Sequence, residues 1–386
     1  MFQQIGVAVQ GRLEEMGLRG ASTPLASRDS ATTVLQTGHD RHISYLTSQI
    51  SELTAEIDSI LPDIGPTYTE PQFVDPEFQR PQTGDPTPQL RECVSTTLQL
   101  LDELHSISPV KLDAALLAGK MGRLSLNLSD LGLRDEAFEA GTTVVALYRA
   151  ARDIPGLAAS LGQLSTALWL LGRREEGLQT SEDAVKLYRG LAGDRPDSFQ
   201  PHLARSLVTI SLYFSGFGRY QEAVEACEEA LSMYRPLAAG RPGVFLPDLA
   251  RCLVSLSNRL SELGPHEGAL KANEEAVSIY RPLARDRPDP FRPDLARSLV
   301  NLSKRLSEFG RYEEALKANE EAVGIYRPLA ANRPGAFSPR LATSLLTHSK
   351  HLLECGDRET ALKVSEEAVS IYRSLAAKRP VFFILI

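Results

Sequence analysis

The sequence predicts an all-α fold, a right-handed α-solenoid (superhelix) of about six helix pairs. Three observations carry that reading. The first is self-similarity at a fixed period, which is the mark of a stacked array. Residues 293–338, PDLARSLVNLSKRLSEFGRYEEALKANEEAVGIYRPLAANRPGAFS, return almost unchanged 46 residues earlier. The second is a shared beat. Tyr-Arg pairs begin at Tyr148, Tyr188, Tyr234, Tyr280, Tyr326 and Tyr372, and a glycine follows the same rhythm at Gly132, Gly172, Gly218, Gly264, Gly310 and Gly356. The third is apolar spacing of helical period: Leu295, Leu299, Leu302 and Leu306 recur at steps of four, three and four, which lays one stripe along a helix.

Residues 1–40 are polar and mixed, and little fixed structure is expected there. In 41–61, Ile43, Leu46, Ile50, Leu53, Ile57 and Ile60 form a heptad seam. Its sharper reading is a coiled-coil helix that joins two copies of the chain. Its plainer reading, preferred because the seam falls short of three to four heptads, is a single amphipathic helix. Residues 62–88 hold seven prolines from Pro62 to Pro88 among acidic residues and read as an extended linker. Residues 89–108 read as a capping helix with Val94, Leu98, Leu101 and Leu104 on one face, since the first unit of an array has a neighbour on one side only.

The repeat domain is expected to fill 109–386, each copy being two helices. Pro293 suits the first turn of a first helix, and Gly310 suits its end, where the backbone turns left-handed. The second helix starts near Tyr312. Small residues recur where helices must meet closely: a serine seven before each glycine (Ser125, Ser165, Ser211, Ser257, Ser303, Ser349), then Ala223, Ala269, Ala315 and Ala361 five after it, and Ala184, Ala230, Ala276, Ala322 and Ala368 twelve after it. Between copies runs R-P-x-x-F-x-P, as in Arg195, Pro196, Phe199 and Pro201. Its phenylalanine is read as a plug between neighbouring pairs. Pro236, Pro282 and Pro328, inside the second helices, are expected to kink or end them. Phe383 keeps the phenylalanine beat, after which the sequence runs Ile384, Leu385, Ile386 with no polar capping helix. The expectation is that this is a shortened version of a longer protein, the alternative being that the tail folds over the last apolar face.

These residues resemble the tetratricopeptide repeat family. Its pattern of large, large, small, large, then Gly, aromatic, Ala and Ala is met by Leu299, Leu302, Ser303, Leu306, Gly310, Tyr312, Ala315 and Ala322. The sequence departs from it where Asn273 and Asn319 stand at a usually large position, and its period exceeds the usual ~34 residues. Long periods of this kind are similar to the kinesin-light-chain-like subgroup and to arrays beside NTPase or caspase-like domains in fungal and bacterial signalling proteins. The resemblance covers residues 110–386. It implies a helical solenoid, a protein–protein interaction role and a concave face lined by the first helices.

Composition narrows the function classes. Forty-two basic against 49 acidic residues give a net charge of −7, which argues against a general nucleic-acid binder. No run of 18 apolar residues is present, so no membrane-spanning helix is expected. Four scattered cysteines (Cys93, Cys227, Cys252, Cys355) read as incidental thiols of a reducing compartment, and a cytoplasmic location is the default. No phosphate-binding glycine motif occurs. His348 and His351 lie one turn apart but find no further metal ligand at recognisable spacing. The pairs Glu228/Glu229, Glu274/Glu275, Glu320/Glu321 and Glu366/Glu367 recur in every later copy, so they read as solvated faces or inter-repeat salt bridges rather than as one active site. No enzyme activity and no cofactor or metal are expected.

What remains is the face the resemblance makes concave. In register, Arg205, Arg251 and Arg297 form one ladder, Leu212, Asn258, Lys304 and Lys350 a second, and Val208, Val254, Val300 and Leu346 an apolar floor between them. A basic strip over an apolar floor suits an extended or helical acidic peptide, because the arginine fork matches carboxylates. The equal alternative is that the arginines pair with Asp or Glu of the neighbouring copy, for example Asp248 or Asp294. The expected function is a non-catalytic scaffold for a protein or peptide partner. The runner-up is the sensor or scaffold part of a larger NTPase or caspase-like signalling protein.

Overall fold

The computed structural model describes residues 134–264 and 267–378, with single positions between 44 and 125. The chain divides into two units, Met1–Glu52 and Leu53–Ile386. In the first, residues 44–46, 48–49 and 52 are helical. The second carries the array. Most of the 41–61 seam, the 62–88 linker, most of the 89–108 cap, the first helix of copy one and residues 379–386 lie outside the described residues.

Eleven helices run through residues 134–378: α1 (Arg134–Ala151), α2 (Ile154–Leu170), α3 (Arg174–Asp194), α4 (Pro196–Gly216), α5 (Tyr220–Gly240), α6 (Pro242–Glu262), α7 (Glu267–Asp286), α8 (Pro288–Glu308), α9 (Tyr312–Asn332), α10 (Pro334–Glu354) and α11 (Arg358–Lys378). Each packs on the next in sequence, and the first helices α4, α6, α8 and α10 also touch one another in turn. This is a helical solenoid. One core runs unbroken from Ala158 in α2 to Ala368 in α11, because each pair hides its apolar face only against its neighbours.

The glycine beat ends the first helices. Gly310 sits at φ +75°, and beside it the Arg311 N–H donates to the Leu306 carbonyl at 3.0 Å. That closes the helix end with a left-handed residue, which glycine adopts at least cost. The small positions are the close contacts. Ser165, Ser257, Ser303, Ala223, Ala269, Ala315, Ala230, Ala276 and Ala322 are wholly buried. Copy two carries Gly177 at the first alanine position, where an added Cβ would come within 3.1 Å of the Ser165 carbonyl oxygen. Ala322→Leu is therefore expected to overpack α9 against α8 and cost about 1–3 kcal/mol. A thermal melt of this variant that matches the parent would show that the position has room.

Two proline expectations need correction. The helix containing Pro293 begins five residues earlier, at Pro288, and Pro293 lies inside it. The same holds for Pro201, Pro247 and Pro339. The R-P-x-x-F-x-P segment is thus no connector but the first two turns of the next helix. The connector is one extended arginine, such as Arg287 at φ −134°, ψ 83°. The earlier proline of each pair takes the first helical turn, where its missing N–H costs nothing. Pro236, Pro282 and Pro328 likewise do not end their helices, which continue to Gly240, Asp286 and Asn332. A proline deprives the carbonyl four residues back of its donor, and here those residues, Ser232, Ser278 and Gly324, are exposed, which lowers the cost of the lost bond.

The phenylalanines of the segment pack against the core: Phe245 is buried, and Phe199, Phe291 and Phe337 are partly buried against it. The connector arginines Arg195, Arg241 and Arg287 lie over Phe199, Phe245 and Phe291, each 4.9 Å from the ring centre.

Candidate binding face

The Tyr-Arg beat and the Glu-Glu pairs serve the same joint. The arginine after each tyrosine reaches the second glutamate of the next copy: Arg189–Glu229 at 2.7 Å, Arg235–Glu275 at 2.8 Å, Arg281–Glu321 at 2.7 Å and Arg327–Glu367 at 2.7 Å. The last three are two-pronged. Of the two sequence readings, inter-repeat salt bridges describe Glu229, Glu275, Glu321 and Glu367, and also the exposed Glu274, which meets Arg311 of the next copy at 3.6 Å, while Glu228, Glu320 and Glu366 are exposed. Exposed pairs of this kind contribute little stability singly; Arg219–Glu182 at 3.8 Å and Arg311–Glu274 at 3.6 Å add to the links between neighbouring copies.

The tyrosines themselves turn inward. Tyr188, Tyr234, Tyr280 and Tyr326 are buried, and burial pushes all four phenols up, Tyr188 and Tyr326 to about 12. Arg205, Arg251, Arg297 and Arg340 are among the charges that act on them.

The proposed arginine ladder therefore lies between tyrosines rather than open to solvent. Arg251 pairs with Asp248 at 3.5 Å, and Arg297 with Asp294 at 2.9 Å, each three residues back on its own helix. Arg205, the first rung, is half-buried. The aspartates are those named as the alternative, although they belong to the same copy as their arginines. The apolar floor is corrected as well: Val254 and Val300 are 4% and 8% exposed and belong to the main core. Valine at these positions fills the joint to the next copy, so only Leu346, 42% exposed at the end of the array, shows a surface.

The other ladder is open. On the side where the first helices meet, Asn258 is half-buried and accepts from the Asn301 amide at 3.2 Å. Lys304 is exposed and makes no ion pair with a described residue. Lys350, 69% exposed, has Glu354 at 3.6 Å.

One buried column was not visible as a site in the sequence. Tyr213, Arg259, Arg305 and His351 keep the 46-residue beat on consecutive first helices and face the preceding copy. His351 is 1% exposed, with Nδ1 2.9 Å from Glu354 and Nε2 3.2 Å from the Ser303 hydroxyl. Arg259 and Arg305 hold Glu262 and Glu308 in the same manner, at 3.0 and 3.1 Å. Ser307 donates to Glu354 as well, at 2.9 Å. Burial disfavours the charge on Glu354, but the His351 and Ser307 hydrogen bonds hold its carboxyl below the usual range. His351 is thus a structural substitute for arginine rather than a surface replacement. The signal that finds it is the spacing to Arg305 and Arg259. Among the described residues no three His, Cys, Asp or Glu side chains gather as a metal site would need.

A family model described as tetratricopeptide repeat matches residues 203–235 and 295–327, which span the facing halves of α4/α5 and α8/α9. A comparison with curated proteins finds no match. Among solved structures, a Podosopora anserina protein named for kinesin light chain and its nearly identical TPR-like repeats is 20% identical, with 58% of this chain and 99% of that one covered at a TM-score of 0.45. A STAND signal-transduction ATPase from Pyrococcus horikoshii with a tetratricopeptide repeat sensor is 14% identical, with 75% of this chain and 41% of that one covered at a TM-score of 0.52. The apo form of RapI is 12% identical, with 74% and 94% covered at 0.50. The last two likenesses are of fold alone. The family model matches two copies, and the same glycine, serine and alanine beat runs through the others, so the helix pairs of this chain are similar to tetratricopeptide repeats.

Proposed function

We propose that the array is a non-catalytic scaffold that takes an acidic protein segment along the side where α4, α6, α8 and α10 meet. Tetratricopeptide repeats as a family mediate protein–protein interaction, and their fold is typically non-catalytic. The observation that carries the finer reading is the open ladder: Asn258, Lys304 and Lys350 stand at one register on successive first helices, with the two lysines exposed. Lys304 has no carboxylate to answer it among the described residues, and the Lys350 pair is solvated and weak. Arg205, Arg251 and Arg297 sit two turns away on the same helices and add positive potential, largely offset by Asp248 and Asp294. Val254 and Val300 contribute only from beneath.

The test is affinity capture of the partner by the full chain, followed by quantitative binding with the double variant Lys304→Glu/Lys350→Glu. Binding is expected to fall at least about tenfold, the loss of roughly 1.4 kcal/mol, with helix content and melting temperature unchanged because both side chains are solvated. Added salt is expected to weaken the wild-type complex and not the variant's residual binding. Wild-type affinity in the double variant would remove this face from consideration.

A second reading makes the array the sensor portion of a larger signalling protein. The Pyrococcus horikoshii ATPase, which carries a tetratricopeptide repeat sensor, is an example of that use of the fold. A reading frame that continues into an NTPase or protease domain would favour it.

A further inference from the structure

Arginine recurs in rows along the array, and carboxylates of the array itself answer most of them. The arginine after each tyrosine holds a glutamate of the next copy. Arg251 and Arg297 hold Asp248 and Asp294, and Arg259 and Arg305 hold Glu262 and Glu308. At the turns inside the pairs, Arg173, Arg219 and Arg311 grip Glu176, Glu222 and Glu314. The connector row differs. Arg195, Arg241, Arg287 and Arg333 are all exposed, and none makes an ion pair with a described residue.

The backbone does not ask for arginine at these places. Each connector precedes a proline, which confines it to extended backbone, here φ −134° to −139°, and any side chain is compatible with that. The same cation nevertheless stands at all four joints, and three of the four share one pose. Arg195, Arg241 and Arg287 lie over the rings of Phe199, Phe245 and Phe291. A guanidinium held over a ring keeps N–H donors for a forked contact with a carboxylate, and a side chain already held in place loses less freedom on binding. At the fourth joint Arg340 takes the ring of Phe337, at 5.9 Å, so a second arginine serves that joint.

The surroundings select the partner. Asp197 and Asp289 follow Arg195 and Arg287 by two residues, but Gly243 and Gly335 stand at that place after Arg241 and Arg333. Beside Arg241 the surface also turns apolar, with Val244 58% exposed and Pro236 and Pro242 exposed. The chain as a whole carries a net charge of −7, so a long nucleic acid meets repulsion beyond the row, while a short acidic stretch of polypeptide meets only the row. This surface is separate from the lysine ladder. Lys304 follows Arg287 by 17 residues, about 25 Å along α8 at ~1.5 Å per residue.

We propose that the connector edge of the array is a second docking surface, which takes an acidic polypeptide segment across Arg241, Arg287 and Arg333.

The probe is fluorescein-labelled poly-glutamate, titrated at low salt into the full chain carrying Lys304→Gln/Lys350→Gln. That background removes the lysine ladder, so the titration reads the connector edge alone. The probe is expected to bind, and to bind at least about tenfold more weakly when Arg241→Gln/Arg287→Gln/Arg333→Gln is added, because three solvated pairs are lost together. No binding in the lysine background would overturn the proposal without touching the lysine ladder, and so would equal binding with the arginines replaced. Circular dichroism checks the fold of each variant. A measurement on the wild-type chain needs no variant: bound poly-glutamate is expected to shield Arg241, Arg287 and Arg333 from phenylglyoxal, read by mass spectrometry, and unchanged labelling of all three would overturn the proposal. An oligothymidylate of equal charge that displaces poly-glutamate at lower concentration would assign the row to phosphates and overturn it as well.

Discussion

Between about pH 10 and 12 the array is expected to unfold cooperatively, with loss of helix and ionisation of tyrosine moving together. Tyr188, Tyr234, Tyr280 and Tyr326 are buried at equivalent places in four copies, and burial raises each phenol above its ordinary value of 10.0. The unfolded chain gives up these protons near pH 10, while the folded chain still holds them. The contribution they make is whole below the unfolded value and is lost as pH rises toward the folded ones. Each such tyrosine removes about 1.4 kcal/mol per pH unit within that window, and four acting together remove roughly 5–6 kcal/mol per unit. Circular dichroism and tyrosinate absorbance followed on one titration decide the matter. Full tyrosinate absorbance near pH 10 with the helices intact would sink it. The Tyr280 hydroxyl has no hydrogen-bond partner, so Tyr280→Phe is expected to leave stability at neutral pH unharmed and to make the alkaline transition less steep.

Arg297→Glu is expected to be clearly destabilising, at about 1–3 kcal/mol, because it breaks a part-buried charged hydrogen bond. Arg297 lies on α8 with Asp294 at 2.9 Å, within reach of the fields of Tyr280, Tyr326 and Arg251, and its Nε is buried without a hydrogen-bond partner. A glutamate there loses the cation and sets two carboxylates side by side where water reaches them only in part. Stability in a stacked array is carried between nearest neighbours, so the damage is expected to be local. Hydrogen exchange is the measurement: α7 to α10 should lose protection while α2 and α3 keep theirs. Uniform protection in the variant would show that the ion pair is dispensable. Replacing both Arg297 and Asp294 with leucine is expected to recover most of the loss, because no charge is then left buried alone. Reversing the three arginines would therefore confound binding with folding, whereas Lys304 and Lys350 separate them.

The repeated module was legible in the sequence because its physics is local and is stated several times. The left-handed position at Gly310, the small side chains at Ser303, Ala315 and Ala322 and the apolar step of Leu295 to Leu306 each follow from one helix packing on the next. The prolines misled for the same local reason. Pro293 and Pro328 look like boundaries to a reader who cannot see that Pro288 already opens the helix, or that Gly324, four residues before Pro328, is exposed.

The candidate face was harder to read, because register alone does not distinguish a side chain pointing at solvent from one pointing at the neighbouring copy. Arg297 and Lys304 are both basic residues of one helix, seven apart and on nearly one side. By itself the sequence determined the helix pair, its period and the existence of a continuous core. Only the tertiary structure decided that Arg251 and Arg297 are matched to aspartates beneath tyrosines, that Val254 and Val300 are core, and that His351 stands where inner copies carry arginine. Helix propensity and small-residue contacts act over a few residues and repeat with the sequence. Burial and charge pairing depend on which atoms of another copy come near, a distance set by how the modules stack.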